Sequence, residues 1–278
     1  MARATSSELS ADATTGDSNS LPAGLLVTGR WAALERGFGA LAPLQPLAWT
    51  EAGLLCAPRS APEIAVPALA ACPFVARPVP LRPGPPPDPP ADMIAGWYRR
   101  SPLHAPAPAG LREVVIAPGA AFGAHAHPTT AMCLAALERL PPGPALDLGC
   151  GCGILAVAWA RLGRGPVVAV DLDPAALDQT ARSAEASGVG GLVTPRQAPA
   201  GALAGDLAGR IVLANLPASA HHALLARVDR PPRALVASGL RPGAAGPLLR
   251  GYRRLGMRLV RIARTRRFEC LVLVAGAP

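Results

Sequence analysis

The run "DLGCGCG" places Asp147, Gly149, Gly151 and Gly153 directly after a short apolar stretch and before the mostly apolar "ILAVAWARLG". Glycines in a strand-to-helix turn permit positive φ and let a ligand approach the backbone closely. The spacing is D-x-G-x-G-x-G. It does not satisfy the dinucleotide fingerprint G-x-G-x-x-G, whose last glycine would fall on Ile154. Asp171 closes the next apolar run, 24 residues after Asp147. A carboxylate at such a strand end can accept both hydroxyls of a nucleoside ribose. Its neighbour Asp173 precedes Pro174 and reads as a helix N-cap. Upstream, "PGAAFGAHAHPTTAMCL" sets His125 and His127 one residue apart, either as a metal pair or as part of a loop and helix start. Imidazole is a frequent metal ligand, but no carboxylate or third histidine stands at a matching spacing. Cys150 and Cys152 likewise lack partners at zinc-binding spacing and read as small buried side chains.

These residues need elements to hold them. The segment Thr129 to Leu140 reads as a helix leading into the strand "ALDLG", followed by a helix and the strand "VVAVDLD". A helix begins at Pro174, with Leu177, Ala181 and Ala184 at helical spacing. Then come a strand "RIVLANLP", a helix "SAHHALLARV", a strand "ALVASG", and a helix marked by Leu248, Leu249, Tyr252 and Leu255. His221 and His222 read as surface or substrate-rim positions on their helix. The end, "MRLVRIARTRRFECLVLVAG", reads as two strands around an arginine-rich turn. Alternating strands and helices predict a Rossmann-like α/β fold with a doubly wound, mostly parallel sheet and one antiparallel strand; six strands are marked in the pattern, and the expected sheet is seven-stranded.

Ahead of this domain, residues 1–20 are polar and read as a disordered tail. Residues 21–76 have short apolar runs and a helix-like "RWAALERGFGAL", enough for a small N-terminal module. Residues 77–92 are dominated by proline and read as an extended linker, which leaves 93–278 for the α/β domain. The six cysteines follow no repeat and the N-terminus lacks an apolar leader, so the expectation is a reduced, cytoplasmic protein without a disulfide framework. No stretch approaches the ~18 apolar residues of a membrane span.

Every one of the 27 basic residues is arginine, which together with abundant Ala, Pro and Gly points first to GC-rich coding. The charge is uneven. Residues 1–110 carry 8 arginines and 8 acids, whereas residues 241–278 carry 9 arginines against the single acid Glu269. Such an end is either a solvated basic face or a surface for RNA or an acidic protein.

"PGAAFGAHAHPTTAMCL", "ALDLGCGCGIL", "VVAVDLDPAAL" and "VLANLPA" occur in one order that resembles the PrmA family, the methyltransferases of the large-subunit ribosomal protein eleven. The likeness runs from about Trp97 to the C-terminus. It implies a class I S-adenosyl-L-methionine-dependent methyltransferase that N-methylates protein amines, with a ribosomal protein as the family's substrate. It implies a cofactor site of Phe122, Gly123, Thr129, Thr130, Asp147, Gly149, Gly151, Gly153, Asp171 and Asn215, and no metal. It gives Asn215 and Leu216 the catalytic role of orienting the incoming amine. Asn215 could instead cap the following helix. The resemblance assigns His127 to a loop that closes over the cofactor. His125 and Ala124 depart from the family, which has glycine and threonine there, and Cys270 follows Glu269 where the family often has tryptophan. The N-terminal module does not match the family's substrate-recognition domain. A small-molecule methyltransferase of the same fold, or a cofactor-binding module docking on RNA, are the alternatives.

Overall fold

The computed structural model describes residues 91–119, 121–123 and 127–276 throughout, and before them the backbone of four strands. The tail at 1–20, the helix expected in "RWAALERGFGAL", and Ala124 and His125 lie outside the described residues. The chain divides into two compact units, Met1–Gly84 and Pro85–Pro278. In the first, β1 (Ala23–Thr28), β2 (Leu44–Thr50), β3 (Gly53–Pro58) and β4 (Val75–Pro80) form an antiparallel sheet in the order β2-β3-β1-β4. β4 therefore runs into the stretch read as linker.

The second unit opens with a small sheet that the sequence pattern did not announce. β5 (Asp92–Ile94) and β6 (Trp97–Arg100) make a tight hairpin, and β7 (Arg112–Val115) adds parallel to β6. Ile94, Trp97 and Val114 bury their side chains in the same core as the helices that follow.

The main sheet has seven strands. In chain order the next elements are α1 (Pro128–Leu137), β8 (Ala145–Leu148), α2 (Ile154–Arg161), β9 (Val167–Asp171), α3 (Pro174–Ala186) and β10 (Val193–Gln197). After a 3-10 segment (Ala200–Leu207) come β11 (Ile211–Asn215), α4 (Ala218–Leu225), β12 (Ala234–Leu240), α5 (Ala245–Arg254), β13 (Met257–Arg264) and β14 (Glu269–Ala275). The strand order is β10-β9-β8-β11-β12-β14-β13, and β14 alone runs antiparallel to its neighbours.

The alternation of side chains along a strand divides the core in two. Ile211 and Leu213 of β11, with Ala234 and Val236 of β12, face α1 and α2. Val212, Ala214, Leu235 and Ala237 face the other way, onto Leu224 of α4 and Leu248 and Tyr252 of α5. Covered on both faces, the central strands are apolar throughout, as parallel strands must be. β10 escaped the sequence reading because "VTPRQ" is mostly polar and contains a proline. Its edge position explains both, since only an edge strand tolerates a residue that cannot donate to the ladder.

Candidate cofactor and active site

From β8 the chain moves outward through β9 to β10, then returns to place β11 on the other side of β8. That reversal opens a crevice at the carboxyl ends of β8 and β11, the position where open α/β sheets bind ligands. Gly149 follows β8 and Leu216 follows β11. Gly149 has φ +70°, and a Cβ there would lie 2.4 Å from Cδ2 of Leu216. Only glycine allows the two loops to meet so closely.

The rest of the glycine loop is anchored by backbone amides. Gly149 and Cys150 donate to the Val170 carbonyl at 2.7 and 3.0 Å. Gly151 donates to Oδ2 of Asp171 at 3.0 Å, and the amide of Asp173 donates to Oδ1 at 3.1 Å. Asp171 thus stands at the end of β9 with its carboxylate oriented by two N–H groups. Leu172 beside it is 65 % exposed, an apolar surface next to the carboxylate. Asp173 caps α3 through the amide of Ala175.

Asp147 is buried, and its Oδ2 accepts from the Ala156 amide in the first turn of α2 at 3.0 Å. Burial pushes its pKa up to about 7; the Ala156 hydrogen bond opposes the shift and the Asp171 charge adds to it. Through this bond Asp147 shapes the loop and the helix start. Cys150 and Cys152 are buried, and burial raises both thiols.

The segment before α1 lies over the glycine loop. The amide of Cys152 donates to the Phe122 carbonyl at 2.9 Å, and a Cβ on Gly151 would stand 2.3 Å from that oxygen. The Phe122 side chain is 43 % exposed. Gly123 follows at φ +96°. His127 is the N-cap of α1: its Nδ1 accepts from the Thr129 amide at 3.3 Å and lies 2.7 Å from the Thr129 hydroxyl. Its ring meets Phe122 and Phe268 edge-on, with centroids 5.2 and 5.0 Å apart, and burial lowers its pKa. Thr129 and Thr130 are buried, and the Thr130 hydroxyl has no hydrogen-bond partner among the described residues.

What fastens this segment was not read from the sequence. One face of α3 is buried and polar: Gln179, Thr180, Ser183 and, just past the helix, Ser187. Gln179 donates to the Ala117 carbonyl at 2.7 Å and accepts from the Ala121 amide at 3.0 Å. Ser183 accepts from the Ala117 amide, and Ser187 both accepts from the Val115 amide and donates to its carbonyl. Thr180 donates to the Gly151 carbonyl at 3.0 Å. One helix thus holds both the glycine loop and the segment above it.

On the other side of the crevice, Asn215 is half-buried, and its amide has no partner among the described residues. It does not cap α4, which begins after Pro217 without a side-chain cap. The Leu216 amide donates to the Ser238 carbonyl at 3.1 Å, and a Cβ on Gly239 would lie 2.3 Å from the Leu216 oxygen. His221 is fully buried, contrary to the surface position expected for it. Its Nε2–H donates to the same Ser238 carbonyl at 2.9 Å, and burial lowers its pKa to about 4. His222 is exposed.

This arrangement has a counterpart in a known family. The family model for Ribosomal protein L11 methyltransferase (PrmA) matches residues 101–240, half of the chain. The chain belongs to this family. A PrmA relative, the ribosomal protein L11 methyltransferase of Citrifermentans bemidjiense, is 44 % identical over 111 residues, 37 % of this chain and 36 % of the relative. That of Bordetella parapertussis is 46 % identical over 103 residues, 35 % of this chain and 34 % of the relative. These alignments span about a third of the relatives' length. The crystal structure of a ribosomal protein L11 methylase from Lactobacillus delbrueckii subsp. bulgaricus shares the fold, with a TM-score of 0.56 at 19 % identity, covering 67 % of this chain and 98 % of that one.

The residues of this PrmA chain fit S-adenosyl-L-methionine on their own geometry. A loop of positive-φ glycines and an oriented carboxylate with an apolar neighbour stand together at the carboxyl end of the sheet, and the buried Thr130 hydroxyl has no hydrogen-bond partner among the described residues. Among the described residues, no helix is long and apolar enough to cross a membrane.

Proposed function

We propose that this chain is an S-adenosyl-L-methionine-dependent methyltransferase that N-methylates amino groups of a protein, with ribosomal protein L11 as the substrate its relatives' names indicate. The observation that carries the reading is the meeting of Gly149 and Leu216 at the switch point of the sheet, with Asp171 on one side and Asn215 on the other. Asp171 would take the ribose hydroxyls. Leu172 would flank the base. Gly149, Gly151 and Gly153, with Phe122, Gly123, Thr129 and Thr130, would enclose the amino-acid part, and Asp147 would hold the loop in shape. Bound there, the cofactor supplies a methyl group already activated on a sulfonium.

The protein's share of the chemistry is then alignment and exclusion of water. An amine must arrive neutral, with its lone pair directed at the methyl carbon. The Asn215 side-chain oxygen and the Leu216 carbonyl accept no hydrogen bond from the described residues, and each can accept an N–H of that amine. The Leu216 peptide is held by Ser238 and packed against Gly239, while its side chain packs against Gly149, so the acceptor is fixed before the substrate arrives. No strong base is required, because a lysine or N-terminal amine can lose its proton to water before entering. The site is consistent with that: Asp147 is enclosed, and Asp171 and His127 are engaged by backbone amides.

The test is transfer of tritiated methyl from S-adenosyl-L-methionine to purified ribosomal protein L11, and to a lysate lacking this activity, with Asp171→Ala as control. Label in the L11 band that disappears with the variant is the expected result. Label confined to small molecules would replace this reading with a small-molecule methyltransferase. No enzyme-dependent label despite cofactor binding would leave a binding module without catalysis.

A further inference from the structure

Between α1 and the β13–β14 hairpin lies a cavity of about 380 Å³, outside the glycine-loop crevice. Ala131, Met132 and Ala135 wall it on the helix side, and Ala263 and Val272 on the sheet side. One end of it lies beside the start of α1, next to His127. Pro128 and Thr265 line that end. Pro128 follows His127, and the Thr265 hydroxyl accepts from the amides of Arg267 and Phe268 at 3.3 and 3.0 Å. The Phe268 ring is the one stacked edge-on against His127, which in turn meets Phe122. The packed rings of Phe268, His127 and Phe122 therefore connect the end of the groove to the segment over the glycine loop.

The groove is charged on one side only. Arg261 lines the groove, and Arg258, Arg266 and Arg267 are exposed on the same hairpin. Glu269, the one acid of residues 241–278, is already taken: its carboxylate accepts from Arg264 and from the amides of Gly243 and Ala245. An apolar trough of small side chains beside guanidinium groups that form no ion pair among the described residues is complementary to an apolar side chain flanked by carboxylates. RNA fits it less well, because the walls offer no aromatic face on which a base could stack.

We infer that this groove docks a segment of the protein substrate in which an apolar side chain stands among acidic residues, delivering the target amine past the Phe268, His127 and Phe122 rings. The inference rests on the methyltransferase reading above. It assigns part of substrate choice to the α/β unit itself.

The test uses the full chain and a short fluorescein-labelled peptide with one leucine among glutamates and a single lysine, its binding followed by anisotropy. Ala135→Trp fills the groove from an exposed position, and Arg261→Glu reverses its charge. Each is expected to weaken peptide binding about tenfold or more, while calorimetric affinity for S-adenosylhomocysteine stays unchanged. Where L11 is methylated, KM for the protein rises with kcat unaltered. Replacing the glutamates by arginines, or the leucine by alanine, is expected to weaken binding as well. Unchanged binding in both variants overturns the proposal, as does equal binding of the arginine peptide or displacement by a single-stranded RNA oligonucleotide. Because binding is read without turnover, loss of the methyltransferase reading alone would appear as absent cofactor binding with peptide binding intact.

Discussion

The amide of Gly151 donates to the Asp171 carboxylate across 3.0 Å, tying the glycine loop to the end of the adjacent strand. Asp171 therefore has two tasks, to hold the loop and to present its carboxylate to the crevice. Asp171→Ala removes both. A hydrogen bond to a charged group is worth roughly 1.5–3 kcal/mol, so S-adenosylhomocysteine affinity should fall about 10- to 100-fold by calorimetry. Asp171→Asn, which keeps an oxygen for Gly151, should lose less. Equal affinity in all three proteins would remove Asp171 from the site.

Gly149→Ala should damage the site more than the fold. A Cβ at φ +70° costs roughly 1–2 kcal/mol, and it would also strike the Leu216 side chain. The expected result is a modest drop in Tm with at least a tenfold loss of methyl transfer. Adding Leu216→Ala removes the clash but not the backbone strain, so the double variant should regain part of the Tm loss. If Leu216→Ala restores nothing, the contact is not what sets the cost.

Asp147 makes stability depend on pH in an unusual direction. Its native pKa is raised to about 7, chiefly by burial. In the window from about 4 to 7 the native state holds a proton that the unfolded chain has released. Its contribution is therefore most favourable at low pH and is lost as pH rises through 7. Asp147→Asn, which still offers an oxygen to Ala156, should gain up to about 4 kcal/mol at pH 8 and little at pH 4. Thermal melts at the two values measure the difference, and an equal shift at both would refute it.

Glu269 acts in the opposite sense. Burial alone would raise its pKa, but the Arg264 guanidinium and the amides of Ala245 and Gly243 outweigh it and hold the carboxyl below its ordinary value. Its stabilisation is complete above the unfolded carboxylate range and is lost as pH falls through the lowered native value. Glu269→Gln should cost about 1–2 kcal/mol at neutral pH, mostly through the two amides because Arg264 is exposed. The gap to the parent should close in acid denaturation below about pH 4. A gap that widens there would reject the assignment.

The glycine loop, Asp171 and the N-terminal end of α1 were legible because backbone demands leave fixed residue types. Positive φ asks for glycine, a helix start asks for a cap, and a buried parallel strand asks for an unbroken apolar run. β10 and the polar face of α3 were not legible. Gln179, Thr180 and Ser183 look like a solvated helix surface, and only the segment they grip, far away in sequence, shows them to be interior. His221 was misread for the same reason, since its partner carbonyl lies on another strand. The bond from the Ala156 amide to Asp147 was not legible either, because a motif gives the carboxylate's position in the chain and not the amide it meets.

The two borders of the seven-stranded sheet end differently but to one effect. β10 carries Pro195 and exposed polar residues, and β13 is kinked at a register shift between Leu259 and Arg261 and studded with arginine. Proline, bulges and charge are the means by which a sheet refuses another strand. With no lysine in the chain, arginine alone supplies that charge at the β13 border. Edge-to-edge growth into dimers or fibres is thus blocked at both borders, and high salt, which screens guanidinium repulsion, weakens the guard on the β13 side while leaving the proline side intact.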